Sequence, residues 1–296
     1  MIEIVTTQAR RFDDFQSALE ANDTDKILIH DGTGTKTITA ANFKADLLAT
    51  LDAMQTTINQ LTFPGAGPHN SIFRGKNLGD HVTPEQWAAI ADGSFADLYI
   101  GDYWVINGVI WRIAAFDYYL WTGDNVGVTA HHVVIVPDTA LDIGAMNTTL
   151  TTDGGYIGSL MRTMGLEQAR TAIGAAFNNH VMVHRQFLSN AVTSGRPSGG
   201  AWVDSSIEIM NEVMVYGSAI FSPVSDGTTV PTIYTLGKSQ LPLFALRPDL
   251  ISNRLSYWLR DVVSDTSFAI VADLGTAYCY SASVSLGVRP AFSIVA

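Results

Sequence analysis

The chain has 296 residues, 47% of them hydrophobic and 15% charged, which is ample for a packed core and too apolar for a disordered chain. A formal net charge of −11 makes a surface that repels phosphate, so nucleic acid and anionic membranes are not expected as direct ligands. The single cysteine, Cys279, excludes a disulfide framework and a cysteine-based zinc site. The N-terminus MIEIVTTQARRFDDF has no apolar signal core. No stretch reaches the ~18 apolar residues of a membrane span, so membrane insertion is not expected. The expectation is synthesis in a bacterial cytoplasm and, for work outside a cell, release by a route such as lysis.

Residues 1–62 differ from the rest. DKILIHDGTGTKTITAANF predicts a strand at Ile27 and Ile29, a turn at Asp31-Gly32 and a second strand at Thr37-Ile38. A helix is predicted from Ala40 to Leu61. Its apolar positions Leu47, Leu51, Met54, Ile58 and Leu61 are spaced 4, 3, 4, 3, as in an a/d heptad seam. That spacing fits an amphipathic helix packed on its own domain or a short oligomeric coiled coil. The polar residues between (Asp52, Gln55, Thr56, Thr57, Asn59, Gln60) favour the oligomer, although two heptads need help from other contacts. FPGAGPHN (63–70) reads as a linker, and 71–296 as an α+β domain.

Within that domain TPEQWAAIADG (83–93) predicts a short helix with Thr83 as its cap and Pro84 at its first position. LYIGDYWVINGVIWRIAAF (98–116) predicts a hairpin about Asn107-Gly108. HHVVIVPD (131–138) predicts a strand, 154–177 one or two helices, and HVMVHRQFL (180–188) a strand or extended segment. WVDSSIEIMNEVMVYG (202–217) predicts a helix, with Ser205 and Glu208 at capping-box spacing. In 267–292, SFAIVADLGTAYCYSASVSLGVRPAF, odd positions are nearly all small and even positions large or mixed. The expectation is that the large side chains point to solvent over a floor of small ones. A plain hairpin whose bulky face is core is the alternative.

No catalytic constellation emerges. His131 and His132 are adjacent on a predicted strand and should face opposite ways. His180 and His184, on a strand, would share a face about 13 Å apart, too far for one metal. HExxH, GxSxG and P-loop patterns are absent. Asp102, Asp117, Asp204 and Glu208 are not paired by anything in the sequence. The tyrosine-flanked Cys279 lacks the positive surroundings that activate a thiol. Eight aromatics between Tyr99 and Trp121 read as hairpin core, with a sugar-stacking platform as the alternative. The expectation is a protein that does no chemistry and needs neither metal nor cofactor.

Three stretches together carry a resemblance. SYWLRDVVS followed by SFAxVxxxGxAxxxxASxSxGVRPAF resembles the C-terminal end of C-type-lectin-like domains in phage and bacterial proteins of gut-dwelling Gram-positive bacteria. LYIGDYWVINGVIWRIAAFDYYL with AHHVVIVPD is similar to the front of that domain, and ILIHDGTGTKTITAANF resembles the anchoring segment of phage fibre and virion-attached proteins. The resemblance implies an α+β, C-type-lectin-like domain preceded by a small β-hairpin and a short coiled-coil helix. Many members of that family are targets of diversity-generating retroelements, in which adenines of a template are copied with errors and asparagine codons scatter. Ile270, Ala272, Asp273, Leu274, Thr276, Tyr278, Cys279, Tyr280, Val284 and Leu286 lie within that codon spectrum, and Ser256, with Leu255 beside it, belongs to the same set. The resemblance implies that these form a variable ligand-binding face, that Trp258, Arg260 and Arg289 form its scaffold, and that Gly287-Val288-Arg289-Pro290 fixes the exit strand. It implies a virion-attached homotrimer bound to other virion proteins by its N-terminal segment and to a host-surface protein or glycan by its C-terminal hairpin. Departures limit the carry-over. The Glu-Pro-Asn, Gln-Pro-Asp and Trp-Asn-Asp tripeptides of calcium-dependent lectins are absent, so a sugar-binding calcium site is not expected. One cysteine excludes the chemistry of the sulfatase-activating oxidases. A capsid or tail decoration protein, with the same face buried in the particle, is the alternative.

Overall fold

The computed structural model describes residues 24, 26–30, 34–61, 65–189, 192–193, 196–197, 200–222 and 239–296, and the side chains of 28–30, 35–36, 55–61, 189, 192–193 and 196–197 lie outside that description. The chain divides into two compact units between Phe63 and Pro64. In the first unit, β1 (Lys26–His30) pairs antiparallel with β2 (Thr35–Thr39), which runs directly into α1 (Ala40–Leu61). Thr39 Oγ1 accepts from Asn42 N at 3.2 Å at the start of α1. The turn expected at Asp31-Gly32 and the segment before residue 24 lie outside the described residues. Leu47, Leu51 and Met54 are exposed, and Phe43 and Leu48 are exposed with them, so the apolar stripe is wider than a strict a/d seam. The side chains of Ile58 and Leu61 are not described.

The second unit is α+β, with sheets predominating. Its elements are α2 (Ala66–His69), α3 (Pro84–Ala91), β3 (Tyr103–Ile106), β4 (Val109–Phe116), β5 (Val133–Pro137) and β6 (Asp142–Ala145). A π-helical turn at Met161–Gly165 leads into α4 (Glu167–Phe177). Then follow β7 (His184–Ser189), β8 (Val192–Thr193), β9 (Arg196–Pro197), β10 (Gly200–Ser205), β11 (Ile207–Ile209), α5 (Glu212–Tyr216) and α6 (Pro242–Leu246). The chain ends on β12 (Tyr257–Val262), β13 (Ser267–Val271), β14 (Ala277–Ser281), β15 (Ser285–Val288) and β16 (Pro290–Ile294).

Two five-stranded sheets dominate, in the orders β11-β16-β5-β4-β3 and β14-β13-β12-β15-β6. Every pairing in them is antiparallel except β12 with β15. The β3–β4 hairpin turns on Asn107 at φ 51° and Gly108 at φ 78°, both left-handed, as a two-residue primed turn requires. Thr83 caps α3 with a full capping box: Thr83 Oγ1 accepts from Gln86 N and Thr83 N donates to Gln86 Oε1.

The division between the units falls within the segment 63–70 read as a linker, and residues 66–70 pack as part of the second unit. His69 is buried with Nδ1 2.5 Å from Leu98 O, and Asn70 exchanges two hydrogen bonds with the backbone of Phe116. The helix predicted over 202–217 is two short strands and one turn of helix. Ser205 Oγ does donate to Glu208 Oε1 at 2.7 Å, but across the β10–β11 junction; the helix cap is Asn211, accepting from Met214 N. Spacing found the hydrogen bond and misread its backbone, because β10 and β11 are short and the strands they pair with, β7 and β16, are not adjacent in sequence.

The second sheet has an apolar core on each side. Tyr257, Leu259, Ala269 and Val271 belong to the larger core, with Trp104, Trp111 and Phe292. Trp258, Val262, Phe268 and Ile270 alternate with them and belong to a smaller one, with Met146, Tyr156 and Met161. Strands β12 and β13 are therefore covered on both faces, which decides the environment of the C-terminal ribbon.

Candidate ligand-binding face

The C-terminal ribbon is built by β13, a tight turn and β14. Ala272 N donates to Thr276 O and Gly275 N to Ala272 O, and Gly275, at φ +90°, takes the left-handed position. The register pairs Phe268 with Tyr280 and Ile270 with Tyr278, so all four side chains project on one face. Their fates differ because the strands differ. β13 lies between β12 and β14 and its face is covered; β14 is the last strand of its sheet. Ile270 is 2% exposed, whereas Tyr278 is 53% and Tyr280 45% exposed. Ile270 is therefore a core residue, and its assignment to the ligand face is withdrawn. The expected floor of small residues under outward bulky ones holds along β14 alone, since Ala269 and Val271 on β13 are themselves core.

Of the other candidates, Asp273, Leu274 and Thr276 are exposed at the turn, and Ala272, Cys279, Val284 and Ser256 are half-buried. Leu286 is half-buried and packs against the smaller core. Leu255, exposed, reaches over Gly287, where an added Cβ would stand 3.2 Å from Leu255 Cδ2 and 3.1 Å from Ser256 O. The Cys279 thiol pKa is raised, by burial and then by the charge of Glu212, so it is a poor nucleophile.

The scaffold residues are all buried. Trp258 Nε1 donates to Gly144 O at 2.8 Å, linking β12 to β6, and Arg260 donates to Ile209 O at 3.0 Å. Arg289 stands where the chain passes from the second sheet to the first, between β15 and β16, with its guanidinium on carbonyl oxygens of Pro137, Leu250 and Ile251. Pro290 opens β16, where a missing N–H is tolerated.

Sequence reasoning missed one wall of this face. Ile220 and Phe221 are exposed, and the Phe221 ring lies edge-on to Tyr278 at 5.7 Å; Tyr278 in turn lies 6.4 Å from Tyr280. The loop carrying them is held by the buried Glu212 carboxylate, which accepts from the backbone N–H groups of Ile220 (2.9 Å), Phe221 (2.9 Å) and Ser222 (3.0 Å). Replacing Glu212 with alanine is expected to cost about 2 kcal/mol by stranding these donors, and glutamine, which keeps one carbonyl acceptor, about half as much. Thermal unfolding and amide exchange at 220–222 measure both. Nothing in the sequence marks the loop, because its anchor is a backbone–carboxylate contact without a spacing signature.

The remaining chemistry-bearing residues have structural partners. Asp102 is buried and accepts from the Arg74 guanidinium and from Lys76 N and Tyr99 N. Glu208 accepts from Tyr156 Oη, Arg162 and Ser205. His131 Nδ1 lies 2.8 Å from Asp117 Oδ2, and Asp117 Oδ1 accepts from the backbone N of His132, whose buried ring is held by Tyr119 N and Ala130 O. His180 and His184 do not share a strand. His180 ends a 3-10 turn and stacks on Trp87 at 4.0 Å, while His184 begins β7 and packs on Tyr119. Among the described residues no three His, Cys, Asp or Glu side chains are grouped to hold a metal ion. In the aromatic run from Tyr99, the residues Trp104, Trp111, Phe116, Tyr118 and Tyr119 are core, and Trp121 is exposed, so the run is not a stacking platform. No helix of the described residues is long and apolar enough to cross a membrane. Compared with known proteins, the chain matches no family model, no curated protein and no solved structure.

Proposed function

We propose that residues 64–296 form a C-type-lectin-like binding domain of a virion-attached receptor-binding protein, which attaches to a host-surface ligand through the β14 face and carries out no catalysis. The observation that carries the reading is the row of exposed aromatics formed by Tyr278 and Tyr280 on the terminal strand β14 and by Phe221 on the loop beside it. Aromatics with a polar tip give large contact area at low entropic cost, which is the composition of adaptable binding faces. The buried Arg289, Trp258 and Arg260 supply rigidity independent of the exposed residues, so β14 and its turn tolerate many side chains. The unpartnered stripe of Leu47, Leu51 and Met54 on α1 supports self-association as a homotrimer, and three weak sites then act together. The N-terminal segment is read as the attachment to other virion proteins, which makes the virion the place of work.

The test is adsorption of the purified chain to a panel of Gram-positive gut bacterial cells. Wild type is expected to be retained by at least one strain. Tyr278→Ala with Tyr280→Ala is expected to lower bound protein tenfold or more, with Tm within about 2 °C, since exposed side chains leave stability nearly unchanged. Full adsorption by the double variant, or a large fall in its Tm, overturns the reading. The second reading, a decoration protein, rests on the same exposed face lying against neighbouring subunits; it predicts that Tyr278 and Tyr280 resist nitration in the assembled particle.

A further inference from the structure

Beside the tip of the ribbon lies an open concavity of about 420 Å³, lined by Pro248, Asp249, Ser252, Arg254, Leu274 and Gly275. Its volume is within the range of small-ligand sites. Its two sides are tied together: Ser252 Oγ donates to Asp273 O at 2.7 Å, and Gly275 approaches so closely that an added Cβ would stand 3.3 Å from Ser252. The hollow is thus a fixed feature of the turn that carries Leu274, which is 70% exposed.

Arg254 distinguishes it. Every other lysine or arginine of residues 65–296 whose side chain is described has a carboxylate or carbonyl partner. Arg254 has none among the described residues, in a chain of net charge −11. It is also held at φ +64°, a left-handed conformation that a non-glycine residue adopts at a cost. Next to it, Asn253 Nδ2 is buried without an acceptor. A free cation, presented on a strained backbone at the rim of a hollow, calls for an anion.

The rest of the lining selects which anion. Asp249 faces the same hollow with its carboxylate already paired to Arg247 through two hydrogen bonds, which holds its pKa below the usual range and leaves lone pairs for hydroxyl donors. A phosphate dianion would meet that carboxylate with repulsion. A carboxylate-bearing polyol would place its acid on Arg254, its hydroxyls on Asp249 and the C–H face of its ring on Leu274. We infer that this concavity is a subsite for an acidic sugar residue. The inference rests on the reading of the ribbon as a ligand face and names the class of ligand it takes.

Ligand-observed NMR titration with glucuronic acid, galacturonic acid and N-acetylneuraminic acid, against glucose, acetate and inorganic phosphate, tests it. At least one acidic sugar is expected to bind wild type, with glucose, acetate and phosphate each roughly tenfold weaker or silent, and with affinity falling as salt is raised. Arg254→Gln is expected to lose tenfold or more of that affinity. Arg254→Gly, which removes the cation and relieves the backbone, is expected to lose as much with Tm unchanged or higher. Absence of binding by all three acids, equal binding by the Arg254 variants, or a preference for phosphate overturns the inference. Adsorption to cells that depends on Tyr278 and Tyr280 but not on Arg254 removes the subsite and leaves the functional reading standing. Acid-sugar binding that depends on Arg254, in a protein that adsorbs to no cell, does the opposite.

Discussion

Replacing Arg289 with methionine is expected to destabilise the second unit by about 4 kcal/mol or more, as a lowering of Tm by roughly 10 °C or as loss of soluble protein. The side chain is 2% exposed, and the groups it donates to are neutral. Nε donates to Pro137 O at 2.8 Å, and one terminal nitrogen to Ile251 O at 3.0 Å, Leu250 O at 3.2 Å and the Tyr257 hydroxyl at 3.3 Å. The guanidinium also lies over the rings of Tyr257 and Phe244, at 5.2 and 5.6 Å. Methionine matches the volume but removes the guanidinium's bonds to Pro137 O and Leu250 O, at ~1–3 kcal/mol each, and one of the two donors to Ile251 O, which keeps the Tyr257 hydroxyl. That sum is a large share of the 5–15 kcal/mol typical of a whole domain. Lysine keeps the charge but reaches fewer acceptors, so Arg289→Lys is expected to recover only part of the loss. Urea unfolding of the three proteins measures the differences. A methionine variant within about 1 kcal/mol of wild type would show that the sheets hold their junction without the guanidinium.

The same residue shows what the sequence makes legible. Arg289 reads as a scaffold position only through the resemblance of GVRPAF, and its burial gives that assignment a physical basis. The Asn107-Gly108 hairpin, the Thr83 cap and the α1 boundaries were readable because each rests on local chemistry: a left-handed turn, a hydroxyl three residues from a free N–H, a heptad stripe. The misreadings share one cause. Whether Ile270 is core or surface depends on which strand pairs beyond it, and 202–217 reads as a helix only if its neighbours are ignored. Both are tertiary facts, set by which strands pair alongside. The candidate face was half legible for the same reason. Tyr278 and Tyr280 sit on an outer strand and keep their alternation, whereas Phe221 comes from a loop placed beside Tyr278 by Glu212, and Arg254 from a loop tied to the turn by Ser252. An edge strand is a natural place for variation, because its outer side chains can change without disturbing either core.

Acid is expected to weaken the domain before any carboxylate titrates, through two buried histidines. His184 is pushed down to about 3, first by burial, then by the charges of His132 and Arg260. Burial also lowers His132, against the opposing pull of Ala130 O and Asp117. Geometry agrees with a neutral ring at both places. His132 Nε2 accepts from Tyr119 N at 2.9 Å, while Nδ1 lies 3.0 Å from Ala130 O, so a second proton would break the Tyr119 bond. His184 Nε2 lies 2.7 Å from Gln186 Nε2, an amide that can only donate, and Nδ1 is buried without a partner. In the unfolded chain both histidines titrate near the ordinary 6.5. As pH falls below that value the unfolded state binds protons that the folded state refuses. For His184 the loss is complete only near pH 3, at up to about 1.4 kcal/mol per pH unit. The lowered carboxylates, Glu85 with an ordinary value of 4.5 and Asp80, Asp92, Asp97, Asp124 and Asp249 with 3.8, add their own loss from about pH 5 downward. Between about pH 6.5 and 5 the slope therefore belongs to the histidines. His184→Phe fills the same place against Tyr119 without a titrating group. Whatever its stability at neutral pH, its urea midpoint should fall more gently from pH 6.5 to 4.5, the slope shrinking by about 1.4 kcal/mol per unit. An unchanged slope would mean that His184 takes up its proton inside the folded domain.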